Sequence, residues 1–259
     1  DVAKAVEATD KGTDYLLNKL YSKPHLQKSK INRIKTEFEI DLFQKKADDP
    51  IQVWYKDTKI FEGDETTLKK WLDDLDDKNP TNRKKFLEEA WDKAPIEFIN
   101  DFTKEKIINL PKGDRPDPSK YLKIIYIEEH LKRFEKGVSF ILPKPILEKY
   151  GRDIIGRIDG QFVIPTERID VIIANAKGDV SVLEKALGIP QNSWRNMELV
   201  RIDIKNIKNL NLRIPSGNES GANILWEPGG KTINGYRESV IDAVKKGNYK
   251  ETLIKIKQE

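Results

Sequence analysis

Cysteine is absent from this chain of 259 residues, which excludes disulfide bonds, thiolate nucleophiles and cysteine-ligated zinc. Histidine is nearly absent: His25 and His130 lie far apart in the sequence, so we expect no bound metal. No apolar run approaches the roughly 20 residues that span a bilayer, and no signal-peptide pattern is found, so we expect no membrane partner. The chain begins at Asp1 and its one methionine is Met197, so we expect part of a longer polypeptide.

The charges are numerous but nearly balanced. Lysine and arginine number 47 and the acidic residues 43, which gives a formal net charge of +4. This balance favours a solvated, charged surface and lacks the basic excess of a dedicated nucleic-acid binder. We therefore do not expect nucleic acid as a partner.

Glycine divides the chain into two parts. Only Gly12 and Gly63, two of the 15 glycines, precede residue 113. Before that point the apolar spacing predicts helices, one of them capped by Asp64, with a short hairpin over residues 51–61. The segment Pro111–Pro118, with three prolines, predicts a linker. We therefore expect a helical N-terminal region over residues 1–112 and a second domain over residues 113–259.

The second part changes to strands and turns. Alternating apolar residues predict strands at 138–142, 161–165 and 199–204, and helices are expected at 167–176 and 179–187. A long loop over residues 216–235 follows, and we expect a basic helix at the C-terminus. The fold class predicted is α+β, in which the helical N-terminal region precedes a mixed α/β domain with a small, mainly antiparallel sheet and long loops.

Polar and flexible residues concentrate between Ile214 and Glu238. A long loop in a compact domain is usually functional. The candidates are glycines that expose backbone N–H groups, amides that read ligand edges, a cation for anions, carboxylates and a stacking indole: Gly229, Gly230, Asn218, Asn223, Lys231, Glu219, Glu238 and Trp226. The alternative is a surface loop held by its own turns around a buried Trp226.

A second candidate site is the glycine-rich turn at residues 156–160. Arg157 and Asp159 flank this turn directly before a strand, which presents charged groups at a sheet edge. A structural pair between Arg157 and Asp159 is an equally good interpretation. His130 follows an apolar helical pattern, so we interpret it as a packing or surface residue.

The stretch 121–240 resembles the C-terminal toxin domains of bacterial polymorphic toxins, including rearrangement-hotspot-type and type VI secretion effectors. The resemblance depends on five motifs, namely Lys149-Tyr-Gly-Arg, Gly156-Arg-Ile-Asp-Gly-Gln-Phe-Val-Ile-Pro, Leu199-Val-Arg-Ile-Asp-Ile, Ile214-Pro-Ser-Gly-Asn-Glu-Ser-Gly-Ala-Asn and Pro228-Gly-Gly-Lys-Thr. It implies an antibacterial or cytotoxic effector that is secreted or delivered into a target cell from a bacterium. The implied partners are a cognate immunity protein and the remainder of a larger toxin polypeptide.

A second resemblance is to the tuberculosis-necrotizing-toxin-like NAD glycohydrolases, whose fold is related to that of ADP-ribosyltransferases. Its motif order is matched by Tyr150-Gly151, Phe162 to Pro165, Trp226, Pro228 to Gly230 and Glu238. The spacing departs from that family, since long insertions are present and Glu238 lies several residues further on.

This resemblance implies that NAD is the substrate and that no metal is required. Glu238 would stabilise the oxocarbenium-like state, with Glu219 as a further candidate carboxylate. Arg157 or Lys231 would hold the diphosphate, and Trp226 or Tyr150 would stack on a base. Two alternatives stay open, a metal-independent nuclease toxin and a non-enzymatic interaction module that an immunity protein binds.

Overall fold

A computed structural model describes residues 10–21, 27–56 and 58–257. The chain divides into two units, unit 1 over residues 1–96 and unit 2 over residues 97–259. The division lies earlier than the predicted boundary at residue 112. The predicted linker belongs to unit 2, because Asn218 accepts the backbone N–H groups of Gly113 and Arg115 at 2.8 and 3.2 Å.

Unit 1 combines four helices of its described residues with a three-stranded antiparallel sheet of order β1-β2-β3. In chain order the elements are α1 (Asp10–Leu20), α2 (Gln27–Glu37), β1 (Ile40–Phe43), β2 (Ile51–Tyr55), β3 (Thr58–Gly63), α3 (Glu65–Asp76) and α4 (Pro80–Lys93). The hairpin predicted over residues 51–61 is β2 and β3, and Asp57 at its turn lies outside the described residues. Asp64 caps α3 as predicted, because its carboxylate accepts the Thr67 N–H at 2.7 Å.

Unit 2 contains the remaining elements. In chain order they are α5 (Lys104–Ile108), a 3-10 turn (Pro118–Lys120), α6 (Ile124–Lys132), β4 (Val138–Pro143), α7 (Lys144–Tyr150), β5 (Ile154–Ile155), β6 (Gln161–Pro165), α8 (Thr166–Ala176), α9 (Val180–Leu187), β7 (Leu199–Ile204), β8 (Ser239–Ile241), β9 (Val244–Lys245) and β10 (Lys250–Leu253). The predicted strands and helices of this region are present. The predicted C-terminal helix is wrong, since Lys250–Leu253 pairs antiparallel with β7.

A five-stranded antiparallel sheet organises unit 2, in the order β10-β7-β4-β6-β8. Successive residues of a strand face opposite sides of the sheet, so Phe140 and Ile141 enter two different clusters of buried side chains. Helix α8 packs against β4 and β6 through Ile169 and Ile172. The small β5-β9 pair lies outside this sheet. The α+β class with small antiparallel sheets is confirmed.

Candidate functional site

A cavity of about 1030 Å³ lies within unit 2. Strands β4 and β6 line it, together with α7, the turn that follows β5, the end of α9 and the loop residues 220–226. The loop thus shares one cavity with Arg157 and Glu238. A volume of this size accommodates a ligand as large as a dinucleotide.

Glu238 contributes a buried carboxyl group to this cavity. Its side chain lines the cavity but is only 8% exposed. Among the residues that the structure describes, none forms a hydrogen bond or ion pair with its carboxyl group. Burial raises the pKa of Glu238 to about 8, and the nearby charge of Glu219 adds to this effect. The cavity therefore contains an acid that is mostly protonated at neutral pH.

The backbone of Glu238 is held on both sides. Its N–H donates to the carbonyl of Gly230 at 2.9 Å. Its carbonyl lies 2.9 Å from Nε2 of His130, and the hydroxyl of Ser239 lies 3.0 Å from the same nitrogen. These contacts fix the backbone of Glu238 directly before β8.

His130 is fully buried behind Glu238, so the packing interpretation fits its place. Its Nδ1 accepts from Nη1 of Arg237 at 3.1 Å, which makes Nε2 the protonated nitrogen that donates to Glu238. Burial, with the charge of Arg237, lowers the pKa of His130 well below its ordinary value. Arg237 also donates to the hydroxyl of Tyr126 at 2.6 Å, and that hydroxyl donates to the carbonyl of Gly229 at 2.7 Å. Neutral His130 is thus a structural anchor for the segment that carries Glu238.

The second candidate site joins the loop at Ser220. Asp159 accepts both the backbone N–H of Ser220, at 2.5 Å, and its hydroxyl, at 2.9 Å. Partial desolvation acts to raise the pKa of Asp159, but the hydrogen bonds from Ser220 outweigh it and lower this pKa. Arg157 reaches the Ser220 hydroxyl at 3.4 Å and is otherwise exposed. The turn and the loop therefore form one wall of the cavity.

The two candidate stacking residues differ in their exposure to solvent. Tyr150 ends α7 and is 74% exposed at the cavity. Trp226 also lines the cavity but is 6% exposed, and the guanidinium of Arg115 lies 4.8 Å from its ring centroid. A Cβ atom added at Gly217 would lie 2.6 Å from the same ring. The Tyr150 ring is thus accessible to a ligand, with the Lys149 ammonium 5.1 Å from its centroid, whereas Trp226 is held by packing.

Several of the predicted site residues form hydrogen bonds that stabilise the loop itself. Glu219 accepts the N–H groups of Ser216 and Gly217 at 2.9 and 2.8 Å, so its carboxylate closes a turn. Asn218 binds residues 113–115, and neither residue lines the cavity. Asn223 lines the cavity, but its amide donates to the carbonyl of Gly188 at 2.8 Å.

Gly229, Gly230 and Lys231 lie behind the cavity. Gly230 packs against the His130 ring, where an added Cβ would approach to 2.7 Å. Lys231 is 7% exposed and pairs with Arg237 in an antiparallel bridge. The predicted irregular loop thus ends in a short hairpin that delivers Glu238.

Sequence reasoning missed the apolar lining of the cavity. Ile146, Ile154 and Ile158 line it from α7, β5 and the following turn. Leu187 at the end of α9 and Ile189 just after it line the cavity as well. Nothing in an apolar residue distinguishes a cavity wall from an ordinary core, so only the fold reveals this role.

No group of three histidine, aspartate or glutamate residues in the described part of the chain could hold a metal ion. No helix of the described residues is long and apolar enough to cross a bilayer. Comparisons of the chain with protein-family models, with curated proteins and with solved structures found no match.

Proposed function

We propose that unit 2 is an enzyme domain that cleaves the bond between nicotinamide and ribose in NAD, by hydrolysis or by ADP-ribosyl transfer. The observation that carries this proposal is Glu238, a buried carboxyl group without a partner at a cavity of dinucleotide size. A protein keeps such a group in a cavity at a cost in stability, which is typical of catalytic carboxyl groups.

The chemistry needs one carboxylate and one acceptor. The electrons of the C–N bond leave with the nicotinamide ring, which becomes neutral, and positive charge develops at the ribose carbon. The Glu238 carboxylate stabilises this charge. A water molecule attacks the carbon and releases one proton, or a nucleophile of a target protein attacks instead.

Protonation of free Glu238 is compatible with this role. The nicotinamide ring of NAD is positively charged, and a cation in a cavity of low dielectric favours the ionised form of a nearby carboxyl group. We therefore expect NAD binding to be coupled to proton release from Glu238.

Two further residues that line the cavity supply the remaining contacts with NAD. Arg157, exposed beside Ser220, offers a planar pair of donors for a diphosphate oxygen. Tyr150 offers an exposed ring on which a base could stack. Since the loop holds Glu219 and Asn218 in its own hydrogen bonds, we assign neither residue a direct part in the reaction.

The biological setting that we propose comes from the sequence resemblance. It is that of a bacterial effector, delivered into a target cell as part of a larger toxin and neutralised by an immunity protein.

The experiment is release of nicotinamide from NAD by the whole chain, with and without added protein acceptors. We expect Glu238→Gln to lower the rate by about 100-fold or more, the size seen when one group that stabilises transition-state charge is removed. Glu135→Gln changes an exposed glutamate of unit 2 and should retain the activity. Absence of nicotinamide release under both conditions would contradict the proposal.

A further inference from the structure

The rim of the cavity exposes an unusual amount of apolar surface. Ile146, Tyr150, Ile154 and Ile158 all line the cavity, and they are 45%, 74%, 60% and 96% exposed. They come from consecutive elements, α7, β5 and the turn after it, and together these cavity-lining residues are called the rim. Contiguous exposed apolar side chains of this kind mark interaction sites.

Cations without ion pairs accompany this rim. Lys149 and Arg157 line the same cavity, and Lys245 lies directly opposite Ile154 in the β5-β9 pair. Across the described residues, no carboxylate forms an ion pair with any of these three cations.

Three neighbouring carboxylates form ion pairs with other cations, namely Glu148 with Lys144 at 4.0 Å, Asp153 with Lys246 at 3.9 Å and Glu251 with Arg152 at 2.7 Å. Asp159 lines the cavity and accepts hydrogen bonds from Ser220, which leave its negative charge in place, and this charge acts on Arg157. Lys149 and Lys245 therefore supply the positive charge of the apolar rim.

We propose that this rim docks an acidic protein segment that carries protruding apolar or aromatic side chains. The positive rim complements acidic side chains, and such complementarity selects partners and accelerates their association. The rim surrounds a cavity of about 1030 Å³, which a protruding side chain can enter. A flat bilayer surface fits this concave shape poorly, so a protein is the favoured occupant.

Docking at this position covers the entrance that leads to Glu238. The partner would therefore inhibit the enzyme, and this consequence alone rests on the proposed function. The docking itself is measured without NAD, so its failure and a failure of the proposed activity are distinguishable.

The test uses a fluorescent random copolymer of glutamate and tyrosine, with the whole chain and anisotropy as the readout. We expect binding that weakens with salt. The double variant Ile154→Ser/Ile158→Ser and the double variant Lys149→Glu/Lys245→Glu should each weaken it about tenfold or more. The matched control Ile124→Ser/Ile125→Ser changes two exposed isoleucines of α6 that do not line the cavity, and it should bind like the unaltered chain.

Three results would overturn the proposal. The first is no binding of the copolymer, or binding that both rim variants retain. The second is equal binding of plain polyglutamate, which would remove the apolar contribution. The third is binding to phosphatidylserine vesicles in place of the copolymer, with the same dependence on the rim variants, which would assign the rim to a membrane. Circular dichroism of each variant verifies that the fold is retained.

Discussion

The burial of Glu238 predicts a pH-dependent effect on the free energy of unfolding that can be measured without any substrate. Replacement by glutamine removes the charge and keeps the shape of the side chain. In the unfolded chain this carboxyl group ionises near its ordinary pKa of 4.5, whereas in the folded chain its pKa is about 8. The folded state therefore binds the proton more tightly, and ionisation opposes folding.

The sign and the size follow from these two values. Below pH 4.5 both states are protonated, and the group has no effect. As the pH rises from 4.5 to 8 the folded chain loses about 1.4 kcal/mol of stability per pH unit, which amounts to roughly 3 kcal/mol at pH 7. Glu238→Gln should therefore stabilise the chain by roughly 3 kcal/mol at pH 7 and by little at pH 5.

The assay is urea unfolding of the variant and the unaltered chain at pH 5, 6, 7 and 8. Buried His130 has the opposite dependence, because its lowered pKa makes the folded state lose stability as the pH falls below 6.5. The difference between the two proteins at each pH cancels this contribution. Glu135→Gln serves as the control and should follow the unaltered chain. A difference that does not grow with pH, or a variant that is less stable at pH 8, would refute the assigned burial of Glu238.

Two further changes test the loop. Gly217→Ala should destabilise unit 2 by about 2 kcal/mol or more, because this glycine has a φ of +84° and its added methyl would contact the indole of Trp226. Thermal unfolding would measure the loss of stability. An unchanged stability would contradict the packing of Gly217 against Trp226. Asn218→Ala removes three hydrogen bonds to residues 113–115, so limited proteolysis should cleave this segment faster, and an unchanged cleavage rate would contradict its anchoring by the loop.

Local signals predicted much of the fold. The Asp64 cap and the hairpin of β2 and β3 depend on neighbours in the sequence, and both are present. The C-terminal segment was mispredicted because its pairing with β7 joins Lys250 to Asp203, a contact between distant residues that overrides local preference.

The candidate site was predicted only as a region. The sequence indicated that the loop, Arg157 and Glu238 belong together, and Arg157 and Glu238 line one cavity with part of the loop, chiefly residues 220–223, 225 and 226. It could not separate Glu238 from Glu219, because both are glutamates in a polar loop. The difference is that Glu219 closes a turn through backbone N–H groups, whereas no such donors reach Glu238.

The hydrogen bond between His130 and the Glu238 carbonyl spans 108 positions of the chain. Contacts of such separation form late in folding, since a long segment must be ordered before the two ends meet. During synthesis α6 leaves the ribosome long before β8. The hydrogen bond of His130 therefore cannot form until most of unit 2 has been made. The cavity acid is consequently assembled only when most of unit 2 has been made, and a nascent fragment that ends before Glu238 lacks it entirely.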